Sequence, residues 1–129
     1  MRIITPRVHG GLDYLMGLFL IFAPDLFGFP ESAGTATAVV RIFGAAAIAY
    51  SLFTRYKLGV FRLIPFGAHL KADFVWGLLL TSTPWLLNFA GEGPAVWGVH
   101  VSAGIIGMLV PVISVPLRRP LTTEAPQNT

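Results

Sequence analysis

Apolar residues run along this chain in four long stretches, set apart by short segments rich in Pro and Gly. Residues 93–117 and residues 74–91 contain no Asp, Glu, Lys or Arg. Each run is close to the ~20 apolar residues that a helix needs to cross a hydrocarbon core, so both are read as membrane spans. The first half has the same pattern with more charge. Asp13 and Asp25 bracket the stretch from Tyr14 to Pro24, and Arg41 interrupts the stretch from Ala36 to Thr54.

The polar positions resolve this ambiguity, because they recur at an offset of sixty residues without a gap. Residues 1–54 set against 61–114 pair Arg2 with Arg62, His9 with His69, Asp13 with Asp73, Gly17 with Gly77, Pro24 with Pro84, Phe29 with Phe89 and Gly44 with Gly104. Shared leucines could arise from apolar composition alone, but a His, Asp, Gly and Pro in one register could not. The chain is a duplicated unit. If the second copy spans at about 69–90 and 95–115, the first spans at about 9–30 and 36–55. The predicted fold is an all-α integral membrane protein, four transmembrane helices built from two parallel two-helix repeats. Repeat one covers residues 1–60, repeat two residues 61–117, and residues 118–129 form a polar cytoplasmic tail. An even number of spans per repeat makes the copies enter the membrane in the same direction, with a pseudo-two-fold axis along the membrane normal.

Composition agrees with a membrane location: mean hydropathy is +0.71, and 12% of residues are charged against about 25% in ordinary soluble domains. A soluble bundle would need a charged outer face on each helix, which residues 93–117 do not offer. Helix one has the basic start of a signal peptide, but its internal copy at 69–90 argues against removal. The net charge of +3 becomes a topology signal once the charges are located. Arg2, Arg7, Arg55, Lys57, Arg62, Lys71, Arg118 and Arg119 lie before helix one, between helices two and three or after helix four, and only Arg41 lies toward the other side. The positive-inside rule then places both termini and the middle loop in the cytoplasm of an inner-membrane protein. No basic cluster is interleaved with aromatics, so nucleic acid is not an expected partner. The chain has no cysteine, which excludes disulfides, thiolate metal sites and covalent c-type haem; no cofactor is predicted.

Thr83-Pro84-Trp85, within the pattern from His69 to Phe89, resembles the SPW-repeat family of small bacterial membrane proteins. The resemblance covers residues 1–117. It implies a Ser-Pro-Trp motif in the first of two transmembrane helices per repeat, and a membrane location, without an established biochemical activity. The motif residues in this chain are Gly17, Pro24, Gly77, Thr83, Pro84 and Trp85. The chain departs from the motif in both copies, with Thr-Pro-Trp in one and Ala23-Pro24-Asp25 in the other.

His9 with Asp13, and His69 with Asp73, are spaced i to i+4, which stacks the two side chains on one helix face; Gly17 continues that face and would allow close helix approach. If the pseudo-two-fold axis brings the copies together, two imidazoles and two carboxylates converge near the cytoplasmic side. A structural role is one reading, His donating to Asp and Arg7 or Lys71 offsetting the carboxylate. A proton or ion path and a metal or haem site are the others, and no His-x-x-x-His or Cys motif commits the cluster to a metal. Asp25 and Arg41 are expected to pair across the first hairpin, and His100 to bond a neighbouring helix. Pro24, Pro84 and Pro111 would bend or end helices. Trp85 and Trp97 fit the outer aromatic belt and Tyr56 the inner one. Gly98 with Ser102, and Ala103 with Gly107, are small pairs suited to helix packing.

Without a Walker, nucleophile-elbow or zincin motif, the leading expectation is a non-enzymatic packing or interaction module. Its partners would be the lipid bilayer and a second copy or another membrane protein. The alternatives are a small transport or proton-handling protein using His9, Asp13, His69 and Asp73, and a metal- or haem-binding protein with the same residues.

Overall fold

A computed structural model describes residues 3–115; Arg2, Arg118, Arg119 and the polar tail lie outside the described residues. The fold is all-α: α1 Pro6–Leu26, α2 Gly34–Leu52, α3 Phe66–Leu86 and α4 Pro94–Val112, with single 3₁₀ turns at Glu31–Ala33 and Ala90–Glu92 in the two hairpin links. The first and third helices each begin and end some three to four residues earlier than the apolar pattern suggests, for local reasons. Pro6 opens α1 at a position where its missing N–H costs nothing, and the Thr5 hydroxyl accepts from Val8 N. Both helices end in the same device. Gly28 and Asn88 take positive φ, 59° and 57°, and the next amides reach back five residues, Phe29 N to Pro24 O at 2.9 Å and Phe89 N to Pro84 O at 2.8 Å. This is the Schellman stop, so Pro24 and Pro84 sit inside the last turn rather than ending the helix themselves.

α1 packs along α2 and α3 along α4, giving two hairpins whose close approach depends on paired glycines. A Cβ on Gly17 would fall 2.9 Å from Gly44 O, and one on Gly77 would fall 2.6 Å from Gly104 O. The same pair thus recurs at the sixty-residue offset. Gly98, expected to serve packing, faces open space, and the Ser102 hydroxyl simply returns to Gly98 O at 2.7 Å. The hairpins meet around Leu20, Ala23, Val40, Leu80, Val99 and Ala103. At the other end, the segments before α1 and α3 pair in parallel bridges, Ile4 with Ser114 and Thr54 with Ile64. These bridges also repeat at sixty, and each ties the entry of one repeat to the exit of a second helix.

Two segments, Glu31–Leu52 and Pro94–Val112, are long and apolar enough to cross a membrane by length and composition. α1 and α3 are not among them. The apolar run at 74–91 does not form one helix, because α3 stops at Leu86 and its first half carries His69, Lys71 and Asp73.

Candidate functional site

His9 in the first turn of α1 and His69 in the first turn of α3 come together inside the bundle, at the end where both helices begin, and both are fully buried. Their ring centroids are 5.3 Å apart. Asp13 and Asp73 lie one turn along the same faces. The pairs cross between repeats: His9 Nε2 is 2.9 Å from Asp73 Oδ2, and His69 Nε2 is 3.0 Å from Asp13 Oδ2. The i to i+4 partners that the spacing suggested are longer, 3.4 Å for His9–Asp13 and 3.3 Å for His69–Asp73. The four residues offer one ligand atom each, all within 4.8 Å of one another.

Behind the rings, hydroxyls decide the tautomers. His9 Nδ1 lies 2.8 Å from Ser114 Oγ, and His69 Nδ1 lies 2.6 Å from Thr54 Oγ1. Ser114 donates its only proton to Val110 O at 2.7 Å, and Thr54 donates its own to Tyr50 O at 2.9 Å. Each hydroxyl can therefore only accept from the ring, and both Nδ1 atoms carry hydrogen. Both Nε2 atoms point at carboxylate oxygens. Two tyrosines complete the shell: Tyr50 donates to Asp73 and stacks on His69 with centroids 4.2 Å apart, and Tyr56 donates to Asp13 Oδ2 at 3.3 Å. Tyr56 is thus a buried part of the site, 5% exposed, and not an interfacial belt residue. Burial raises its phenol above its ordinary range, so it donates as a neutral hydroxyl. Phe66 closes the floor, edge-on to His9 at 5.3 Å.

Arg7 and Lys71 are exposed. Among the described residues, only the two histidines lie within ion-pair distance of Asp13 and Asp73. The expected offset by basic neighbours is replaced by imidazoles because the carboxylates face inward and the long cationic side chains reach outward. Toward the other end, Arg41 Nη2 bonds Asp25 Oδ2 at 2.9 Å across the first hairpin, with both side chains exposed. His100 is fully buried between Val96 O at 2.8 Å and Ala36 O at 3.1 Å, joining the two hairpins. Of the tripeptide, Thr83 is buried and bonds Leu80 O at 2.7 Å, Pro84 is buried, and Trp85 is 62% exposed.

Thr54 and Ser114 carried a sequence signal, being hydroxyl residues matched at the offset of sixty. Tyr50 and Tyr56 carried none, since Val110 and Pro116 stand at their counterpart positions.

No curated protein and no solved structure matches this chain. The SPW repeat domain model matches residues 7–114, an interval that takes in all four helices apart from Pro6, both histidine–aspartate pairs and the two hydroxyls behind them. The chain belongs to the SPW repeat domain family.

Proposed function

We propose that this protein is a small four-span membrane protein that binds one divalent transition-metal ion between its repeats, with His9, Asp13, His69 and Asp73 as ligands. The observation that carries the reading is the orientation of the imidazoles. With Nδ1–H committed to Ser114 and Thr54, the two Nε2 lone pairs and the carboxylates converge on one point, a set of acceptors that requires positive charge among them. A divalent ion supplies it. Ligand atoms about 2.0–2.1 Å from a tetrahedral ion lie about 3.3 Å from each other; the four Nε2–Oδ separations here are 2.9–3.4 Å, and the full set of four atoms lies within 4.8 Å. The donor set of two imidazoles and two carboxylates suits Zn²⁺, Fe²⁺ or Mn²⁺. Hydroxyls behind the Nδ1 atoms and tyrosines behind the carboxylates are the supports that ligands in such sites need.

The membrane reading rests on the outer surface. α1 exposes Leu15, Leu18, Phe22 and Leu26, α3 exposes Phe74, Val75, Leu79 and Leu86, and α4 exposes Ile105, Ile106, Leu109 and Val112. Soluble monomers rarely expose a contiguous apolar area of that extent. Helices of 19–21 residues run about 29–32 Å at 1.5 Å per residue, the thickness of the hydrocarbon core. α1 and α3 fall short in hydropathy because α1 carries Arg7, Asp13 and Asp25 and α3 carries Lys71 and Asp73, of which Asp13 and Asp73 turn inward to the histidines. The exposed Arg55, Lys57 and Lys71 at the cluster end put that end in the cytoplasm under the positive-inside rule. A pure packing module accounts for the paired glycines but gives no reason for four converging acceptors.

Metal analysis after detergent purification, with Zn²⁺, Fe²⁺ or Mn²⁺ supplied and weakly held ion removed by dialysis, tests the reading. One ion per chain is expected in the wild type and none in His9→Ala/His69→Ala. An empty wild type after supplementation would leave imidazolium–carboxylate pairs as the source of the positive charge, and the metal reading would be lost.

A further inference from the structure

A cavity of about 400 Å³ adjoins the cluster, within the size range of small-molecule sites, and all four helices contribute to its wall. Its polar end is formed by Asp13, Asp73, Tyr50 and His9, while the remainder is apolar, with Phe19, Phe43 and Trp76 among the lining residues. From Asp13 to Leu20 it runs seven residues of helix, about 10 Å. The repeats diverge here: Ala103 stands where repeat one has Phe43, and Gly107 where it has Ala47, so side chains lost from α4 open the space.

Which head group fits follows from which atoms remain free. The imidazoles are fully buried, whereas the carboxylate side chains are 13% exposed, so the oxygens are what the cavity meets. The nearby donors are spent. Tyr50 donates to Asp73, Tyr56 to Asp13, and both Nδ1–H groups to hydroxyls. A ligand headed by a carbonyl, carboxylate or phosphate would bring oxygen against oxygen. A primary ammonium brings three donors and a positive charge, and aromatic walls favour a cation that is leaving water. We infer that the cavity binds an apolar organic amine, its ammonium on Asp13 and Asp73 and its body among Phe19, Phe43 and Trp76. The ammonium and the ion of the metal reading would compete for the same two carboxylates, so this inference concerns the metal-free protein and stands apart from that reading.

Equilibrium dialysis of the detergent-solubilised protein against naphthylmethylamine, with naphthylmethanol as the neutral isostere, tests this. The amine should bind at least tenfold more tightly than the alcohol, and Ala46→Phe, which fills the cavity from its half-buried wall on α2, should abolish amine binding while helix content stays unchanged. Equal binding of amine and alcohol, as expected of a space taken by any lipid-like tail, would overturn the inference; so would amine binding undiminished in folded Ala46→Phe protein. Should that variant misfold, the wild-type preference decides alone. The dialysis is run on chelator-treated protein and metal uptake on a separate portion, which separates the two proposals: amine preference without metal uptake removes only the metal reading, and metal uptake with no amine preference in the metal-free protein removes only this one.

Discussion

Each imidazole of the cluster is held by a hydroxyl from the other repeat, His9 by Ser114 and His69 by Thr54. Removing either hydroxyl leaves a buried N–H without a partner, at a cost of about 1–3 kcal/mol, and frees the ring to turn. The double variant Thr54→Val/Ser114→Ala is therefore expected to melt at lower temperature in detergent and to hold metal about 10–100-fold more weakly, the usual effect of losing such a support. Thr54→Ser keeps the acceptor and should stay near wild type in both measurements. An unchanged metal affinity in the double variant would mean that the hydroxyls do not set the ring orientation. The matched pair at 54 and 114 was legible in the sequence. The tyrosines were not, because Tyr50 and Tyr56 have no counterpart in the other repeat and only packing brings them to the carboxylates.

Within each hairpin, a pair of glycines lets two helix backbones touch. A methyl at Gly17 would fall 2.5 Å from Ile48 Cγ1 and 2.9 Å from Gly44 O, and one at Gly77 would fall 2.6 Å from Gly104 O. Gly17→Ala and Gly77→Ala must part the helices, so each is expected to destabilise by roughly 1–3 kcal/mol, the ordinary cost of overpacking. Gly98→Ala meets nothing within 4 Å, and should be neutral or stabilising by about 0.5–1 kcal/mol through helix propensity. Thermal unfolding of the three variants in one detergent checks the order; Gly98→Ala as the most damaging would refute it. Helix ends were less legible than helix faces. Apolar residues continue past Leu26 and Leu86, and the stop is a backbone matter, a left-handed residue at Gly28 and Asn88 followed by a reaching amide.

For the molecule as a whole, the decisive test is that of the proposed four-span topology. The absence of cysteine makes single introduced thiols clean reporters. Under the four-span reading, Ser32→Cys and Gly91→Cys react with a membrane-impermeant maleimide added to intact cells, while Lys57→Cys reacts only after the membrane is opened. If only α2 and α4 crossed, residues 57 and 91 would share a side, and equal labelling of those two would remove the four-span reading. The first half met the composition test less well than its duplicate suggested, for a physical reason. Hydropathy averages over all faces of a helix, whereas α1 and α3 turn Asp13 and Asp73 inward, keep Arg7, Asp25 and Lys71 exposed, and also expose leucine and phenylalanine. The two inward carboxylates are tolerated inside the bundle because histidines from both repeats meet them.

The duplication, the helical class and the identity of the paired residues were all legible along the chain, since a register of His, Asp, Gly and Pro at one offset does not arise from apolar composition. The family pattern that spans residues 7–114 was legible there too. Who pairs with whom was a matter of packing. Spacing along one helix offered His9 to Asp13, yet the crossing of the hairpins brings Asp73 closer, 2.9 Å against 3.4 Å. Distances between helices depend on interhelical packing, on glycines that allow backbones to touch and on bridges that carry Ser114 and Thr54 behind the opposite rings. A local period carries no information about such distances.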